Sequence, residues 1–252
     1  MSGHSKWHNI KLRKGKADAQ RGQLFTKLSK EIILAAKAGS PDPEANYRLK
    51  MAVDKARANN MPAENIKRAI ARASGEGAER EIEEIRYEGY GPAAVAIVVD
   101  AATDNRNRTA AELRFVFSRN GGNLGESGSV AWMFEPRGLI EVNPGARSED
   151  ELTEAALVDG VIDVRYPAAQ SGDPAEIVTD PSALASVREA LTQRGIRVTS
   201  LELGLEAKTQ AKPTGEDVQR VLALLEALEE HEDVQRVYSN VELDDAQLAA
   251  LI

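Results

Sequence analysis

Between residues 138 and 200 the hydrophobic patterns follow the order strand, helix, strand, strand, helix, strand, and no other feature narrows the fold as much. Leu139 to Val142 is a short apolar run. Ser148, with Glu151 three residues later, is a capping box in which each side chain satisfies a backbone donor left over at a helix start. Val161 to Tyr166 and Glu176 to Thr179 have strand character, Asp180 and Pro181 open a helix to Gln193, and an extended stretch covers Ile196 to Glu206. A β-α-β-β-α-β order is that of the ferredoxin-like split unit. The flanking pieces spell the same unit again: strand, helix and strand from 93 to 134, then extended 201 to 207, a helix at 215 to 230 and a strand at 234 to 239. Each unit has only two helices, enough to cover one face of a four-stranded antiparallel sheet. Two nested domains are therefore expected rather than one large sheet.

Three amphipathic helices precede this part. Leu24, Phe25, Leu28, Ile32 and Ala35 form a stripe that stops at Gly39, Ser40 and Pro41. Asp42 and Pro43 look like a cap and first turn for a second helix with Ala45, Leu49, Ala52, Val53 and Ala56 on one face. Pro62 opens a third, with Ile66, Ala69, Ile70 and Ala73, and the glycine-rich Ser74 to Ala78 has linker character. The expected architecture is α+β. An N-terminal three-helix domain (residues 1–80) is followed by two ferredoxin-like α+β domains, the third (136–200) inserted in the second (81–135 and 201–252).

A net charge of −8 over 252 residues conceals a split. Residues 1–80 hold 17 Lys and Arg against 8 Asp and Glu, a net +9, and the remainder is net −17. Such asymmetry suits a polyanion-binding module attached to an acidic body. The chain has no cysteine, which removes disulfides, thiolate nucleophiles and sulfur-ligated zinc, and a reducing cytoplasmic setting is expected. The polar run Ser2 to Gln23 lacks the apolar stretch of a signal peptide, and Ala93 to Val99, the longest apolar run, is far short of a bilayer span, so no membrane association is expected.

No catalytic constellation emerges. Gly125-Glu126-Ser127-Gly128-Ser129 resembles a nucleophile elbow, but Ser129 stands where the last glycine belongs, and His231 sits among Glu229, Glu230 and Glu232. His4 and His8 have a metal-compatible spacing without a third ligand nearby. Asp100, Asp104 and Glu112 suggest magnesium ligands of a nuclease, yet Asp104, Asn105 and Asn107 stand between strand and helix, where caps are wanted. Gly121-Gly122-Asn123-Leu124-Gly125 follows a helix, whereas phosphate loops precede one, so a helix C-cap fits better. Neither an enzyme activity, a cofactor, a metal nor a small-molecule substrate is expected.

The segment Gly3 to Lys16 is different. Lys6, Lys11, Arg13, Lys14 and Lys16 come without an acidic neighbour, and Trp7 offers a ring on which a base can stack or which can plug the helical core. Arg21, Lys27 and Lys30 continue the positive strip along the first helix. Arg106 and Arg108 form a second patch at a helix N-terminus, where an anion is favoured. The expected partner is nucleic acid.

Taken together, these motifs resemble the YebC family. The matching stretches are Gly3-His4-Ser5-Lys6-Trp7, Asp18-Ala19-Gln20-Arg21-Gly22 with Phe25-Thr26-Lys27-Leu28, Asn60-Met61-Pro62, Glu88-Gly89-Tyr90-Gly91-Pro92, Thr103 to Thr109, Gly121 to Gly125 with Ser127-Gly128-Ser129-Val130, and the ending Asp233-Val234-Gln235 with Val237-Tyr238. His8 and Leu12 depart from the pattern, standing where alanine and histidine are expected. The resemblance implies three domains without catalytic activity or cofactor. Bacterial relatives imply a DNA-binding transcriptional regulator. The mitochondrial branch, which activates translation of cytochrome c oxidase, implies a ribosome- or ribosomal-RNA-associated factor that assists elongation. A protein-interaction adaptor acting through the acidic body is the third possibility. No helix in the first 80 residues carries an Asn, Gln and Arg set suited to base edges, so phosphate or structured-RNA contact suits the residues better than sequence readout.

Overall fold

The computed structural model describes residues 19–73, 81–143, 145, 147–166, 174–244 and 247. They form seven helices and two four-stranded antiparallel sheets, an α+β protein with a helical N-terminal region. The chain divides into two compact units, one built mainly from Lys14–Trp132 with Ala211–Leu243 and the other from Met133–Gln210.

In the first unit, α1 (Ala19–Lys37), α2 (Tyr47–Ala58) and α3 (Ala63–Ala73) enclose a core of Leu28, Ile32, Ala35, Leu49, Val53 and Ile66. The second helix starts later than the Asp42-Pro43 signal suggests, because Asn46 performs the cap. Its side-chain oxygen accepts from the Leu49 N–H, and its amide donates to the carbonyls of Ala35 and Ser40, fastening the α1–α2 turn. Ile82 and Ala102, at the root of the adjoining sheet, complete the same core.

That sheet contains β1 (Glu83–Tyr90), β2 (Ala96–Thr103), β3 (Asn123–Leu124) and β8 (Val234–Ser239), in the order β3-β1-β2-β8. Strand β2 is buried along nearly its whole length, as its apolar run up to Val99 requires, with Asp100 alone partly exposed. Against the sheet pack α4 (Arg106–Arg119), on β1 and β3, which buries Leu113 and Phe117, and α7 (Glu216–Glu229), on β8, which buries Val218, Val221, Leu222, Leu224, Leu225 and Leu228. Gly121, with φ +76°, ends α4 as the expected left-handed C-cap.

The second unit contains β4 (Phe134–Asn143), α5 (Glu149–Ala155), β5 (Val161–Arg165), β6 (Ala175–Thr179), α6 (Leu184–Gln193) and β7 (Arg197–Ala207), with sheet order β5-β6-β4-β7. This is the β-α-β-β-α-β unit expected from the patterns, and the Ser148–Glu151 capping box is formed in both directions. One stretch differs from the sequence reading. Residues 201–207, assigned there to the outer domain, pair with β4 from Phe134 to Ile140 and belong to the inner sheet, while β1 supplies the strand that the outer sheet would otherwise lack. Likewise Ala131–Met133 is a single helical turn, and the strand starts only at Phe134. Among the described residues, no helix is long and apolar enough to cross a membrane.

Candidate nucleic-acid interface

Six of the eleven residues assigned to nucleic-acid binding, Lys6, Trp7, Lys11, Arg13, Lys14 and Lys16, lie outside the described residues. The remaining five separate into committed and available cations. Arg21 is exposed and has no ion-pair partner among the described residues. Lys27 Nζ donates to the Glu229 carbonyl at 2.5 Å, at the C-terminus of α7. Lys30 Nζ donates to Asp233 Oδ1 at 2.5 Å and to the Glu232 carbonyl at 3.2 Å. Arg106 is exposed and 3.7 Å from Glu83. Arg108 Nη2 donates to Asp104 at 3.1 Å and to Asp233 Oδ2 at 2.9 Å.

Asp233 is the node of this arrangement. Its side chain is fully buried and accepts from Lys30 on α1 and from Arg108 and Thr109 on α4, the last at 2.7 Å. Burial, the largest single influence, pushes the carboxyl up. Hydrogen bonds from Lys30, Thr109 and Arg108 outweigh it and hold Asp233 at about 2, below the ordinary 3.8. Its backbone N–H donates to His231 Nδ1 at 3.1 Å, which leaves His231 Nε2 to donate to Glu112 at 3.0 Å. Glu112, His231 and Asp233 bring ligand atoms within 4.8 Å of one another. Those atoms are spent on protein partners, and two cations already answer Asp233, so a metal ion would have to displace them.

The residues weighed as a nuclease site are likewise engaged one by one. Asp100 takes a bidentate pair from Arg86 at 2.7 and 3.0 Å, Asp104 takes Arg108, and Asn105 rather than Asp104 caps α4. The elbow-like stretch folds around Glu88. This buried carboxylate accepts the backbone N–H groups of Gly128, Val130 and Ala131 at 2.7, 2.8 and 2.7 Å. Burial acts to raise the Glu88 pKa, and the three N–H donors bring it below the ordinary value. The 125–131 loop is thus held from β1 by Glu88, with the Tyr90 hydroxyl donating to the Ser129 carbonyl at 3.1 Å.

Further exposed cations stand on α3. Lys67, Arg68 and Arg72 face solvent, opposite the buried Ile66 and Ala69, with no ion-pair partner among the described residues. The helical period marks them in the sequence, since they fall off the apolar face. Arg114 and Arg119 on α4 are also exposed and without such a partner.

Both parts of the chain match one family along nearly their whole length. Residues 5–76 match the TACO1/YebC protein N-terminal domain, and residues 82–241 match the TACO1/YebC second and third domain. The chain belongs to the TACO1/YebC family. Similar proteins include a "Probable transcriptional regulatory protein" of Dictyoglomus turgidum, 48% identical over 252 residues with all of both chains covered. One of the same name from Koribacter versatilis is 51% identical over 248 residues, 98% of each. The TACO1/YebC fold is also seen in the crystal structure of a conserved hypothetical protein from Aquifex aeolicus. It is 44% identical to this chain, with a TM-score of 0.84, and the match covers 91% of this chain and 93% of the other.

Proposed function

We propose that this protein is a non-enzymatic regulator of gene expression that works in the cytosol by binding nucleic acid through its basic N-terminal region, as a DNA-binding transcriptional regulator. The observation that carries this reading is the segregation of charge: net +9 in residues 1–80 against net −17 in the rest. Arg21, Lys67, Arg68 and Arg72, exposed and without an ion-pair partner among the described residues, support it. So does the name carried by its full-length relatives, which describes regulators of transcription. Neither cofactor, small-molecule substrate nor membrane has a part in it.

A second reading, a ribosome- or RNA-associated translation factor, draws support from the side chains themselves. The exposed cations of α3 are Lys and Arg suited to phosphates, and that helix shows no Asn or Gln set for reading base edges.

The test is the salt dependence of binding. If Lys6, Lys11, Arg13, Lys14 and Lys16 each neutralise a phosphate, affinity for duplex DNA falls with salt at a logarithmic slope of about −4 to −5. Replacing Lys11, Arg13, Lys14 and Lys16 with alanine removes most of the affinity and the slope together. Unaltered binding after that change refutes the N-terminal assignment. Ranking promoter DNA, ribosomal RNA and ribosomes at one ionic strength decides between the two readings.

A further inference from the structure

Helix α4 presents a solvent face of unusual composition. Thr109, Leu113 and Phe117 are buried, and the opposite face carries Asn107, Ala111, Arg114, Phe115, Ser118 and Arg119, every one exposed. Phe115 is 64% exposed on a regular helix whose neighbouring turns bury a full apolar row. A phenyl ring held in water gains nothing for the fold, so its placement calls for another explanation.

The surroundings identify the chemistry. The one carboxylate that α4 brings to the edge of this face is Glu112, three residues before Phe115. Arg114 and Arg119 have no ion-pair partner among the described residues, and the flanking Glu112 is engaged by His231 at 3.0 Å. Ala111 and Ser118, one turn to either side of Phe115, are small and leave the ring face unobstructed. A protein groove would require a broader apolar patch than Phe115 and Ala111 provide. A flat heterocycle with anionic groups beside it matches both the ring and the guanidinium groups.

We propose that this face binds an unpaired nucleotide of a single-stranded nucleic acid, with Phe115 stacking on the base and Arg114 and Arg119 taking the flanking phosphates. The inference rests on the nucleic-acid reading above and adds a second contact point, on a different helix, with a preference for unpaired over paired bases. In a duplex the bases already stack on one another and offer this ring nothing, while phosphates remain available to the basic N-terminal region.

The experiment measures fluorescence anisotropy of labelled oligouridine, oligothymidine and a mixed-sequence duplex with the full-length protein at one ionic strength. Phe115→Ala weakens binding of the two single strands by about 5- to 150-fold and leaves duplex affinity and the melting temperature unchanged. Phe115→Trp restores binding and adds tryptophan emission that the single strands quench, a signature that a purely structural role would not produce. Arg114→Ala with Arg119→Ala reduces the single-strand salt slope by roughly 1.4. A larger loss on oligouridine than on oligothymidine assigns the site to RNA, and the converse to single-stranded DNA. Equal affinity of Phe115→Ala and the unsubstituted protein for both single strands overturns the inference, even where duplex binding is still lost in the N-terminal quadruple variant. If the unsubstituted protein binds none of the three probes, the nucleic-acid reading itself fails.

Discussion

Replacing Asp233 with asparagine removes one negative charge from a site that three donors were folded to meet. Lys30, Arg108 and Thr109 come from two helices, and Lys30 Nζ and Arg108 Nη2 would then face a neutral amide whose own NH2 group is a fourth donor. The carboxyl's displacement from 3.8 to about 2 is worth about 2 kcal/mol in favour of the ionised folded form. Stranding two cations adds to this, reduced because Arg108 keeps Asp104 and is 37% exposed, so the expected loss is about 3 kcal/mol near neutral pH. The sign with pH follows from the direction of the shift. A depressed folded-state value contributes stability above the unfolded value of 3.8, and most of that is lost as pH falls toward 2. The unsubstituted protein and Asp233→Asn should therefore converge by about 2 kcal/mol between about pH 5 and pH 2. Urea unfolding followed by circular dichroism across that range measures both. A variant within about 0.5 kcal/mol of the unsubstituted protein at neutral pH, or a gap that does not narrow in acid, refutes the account of Asp233 as the node.

Glu88→Gln leaves one carbonyl oxygen and an NH2 group facing three N–H donors, and should cost about 2 to 3 kcal/mol while making the 125–131 loop an early site of proteolysis. Ala93 and Ala94 adopt left-handed conformations at φ 54° and 56° on the exposed β1–β2 turn, so Ala93→Gly and Ala94→Gly should each stabilise by about 0.5 to 1 kcal/mol, read as a higher melting temperature. A Cβ at Gly122 would lie 2.6 Å from the Tyr90 carbonyl oxygen and 3.2 Å from Gly91 Cα, and Gly122→Ala should lose about 1 to 3 kcal/mol by urea titration because backbone cannot swing aside. Lys67→Ala should lower the salt slope of duplex binding by about 0.9 with stability unchanged, and Lys30→Ala should do the reverse.

Local patterns made some of this fold legible and left other parts out of reach. The inserted unit could be read because its signals are short-range: a capping box, apolar runs of strand length and an Asp-Pro helix start. Residues 201–207 carried the right local signal, an extended stretch, without saying which sheet they join. That choice is made by Phe134 to Ile140, more than sixty residues earlier in the chain, whose pairing no periodicity reveals. The second helix starts after Asn46 for a related reason: Asp42-Pro43 is a good cap signal, and Asn46 wins by reaching two carbonyls on the far side of the turn.

The same limit governs the charges. Counting Lys and Arg along the chain finds a basic half but treats Lys30 and Lys67 alike, although Lys30 is bound to a carboxylate 203 residues away. A phosphate approaching Lys30 or Arg108 must compete with a buried Asp233 that would lose one of its three donors, whereas a phosphate approaching Lys67, Arg68, Arg72, Arg114 or Arg119 displaces only water and counterions. The committed cations tie α1 and α4 to the start of β8, and α4 also carries Arg114 and Arg119. If the protein binds nucleic acid as proposed, Asp233 bears on that binding without touching the ligand. Under that proposal Asp233 withholds two positive charges from an approaching phosphate and holds in place α4, the helix of Arg114 and Arg119.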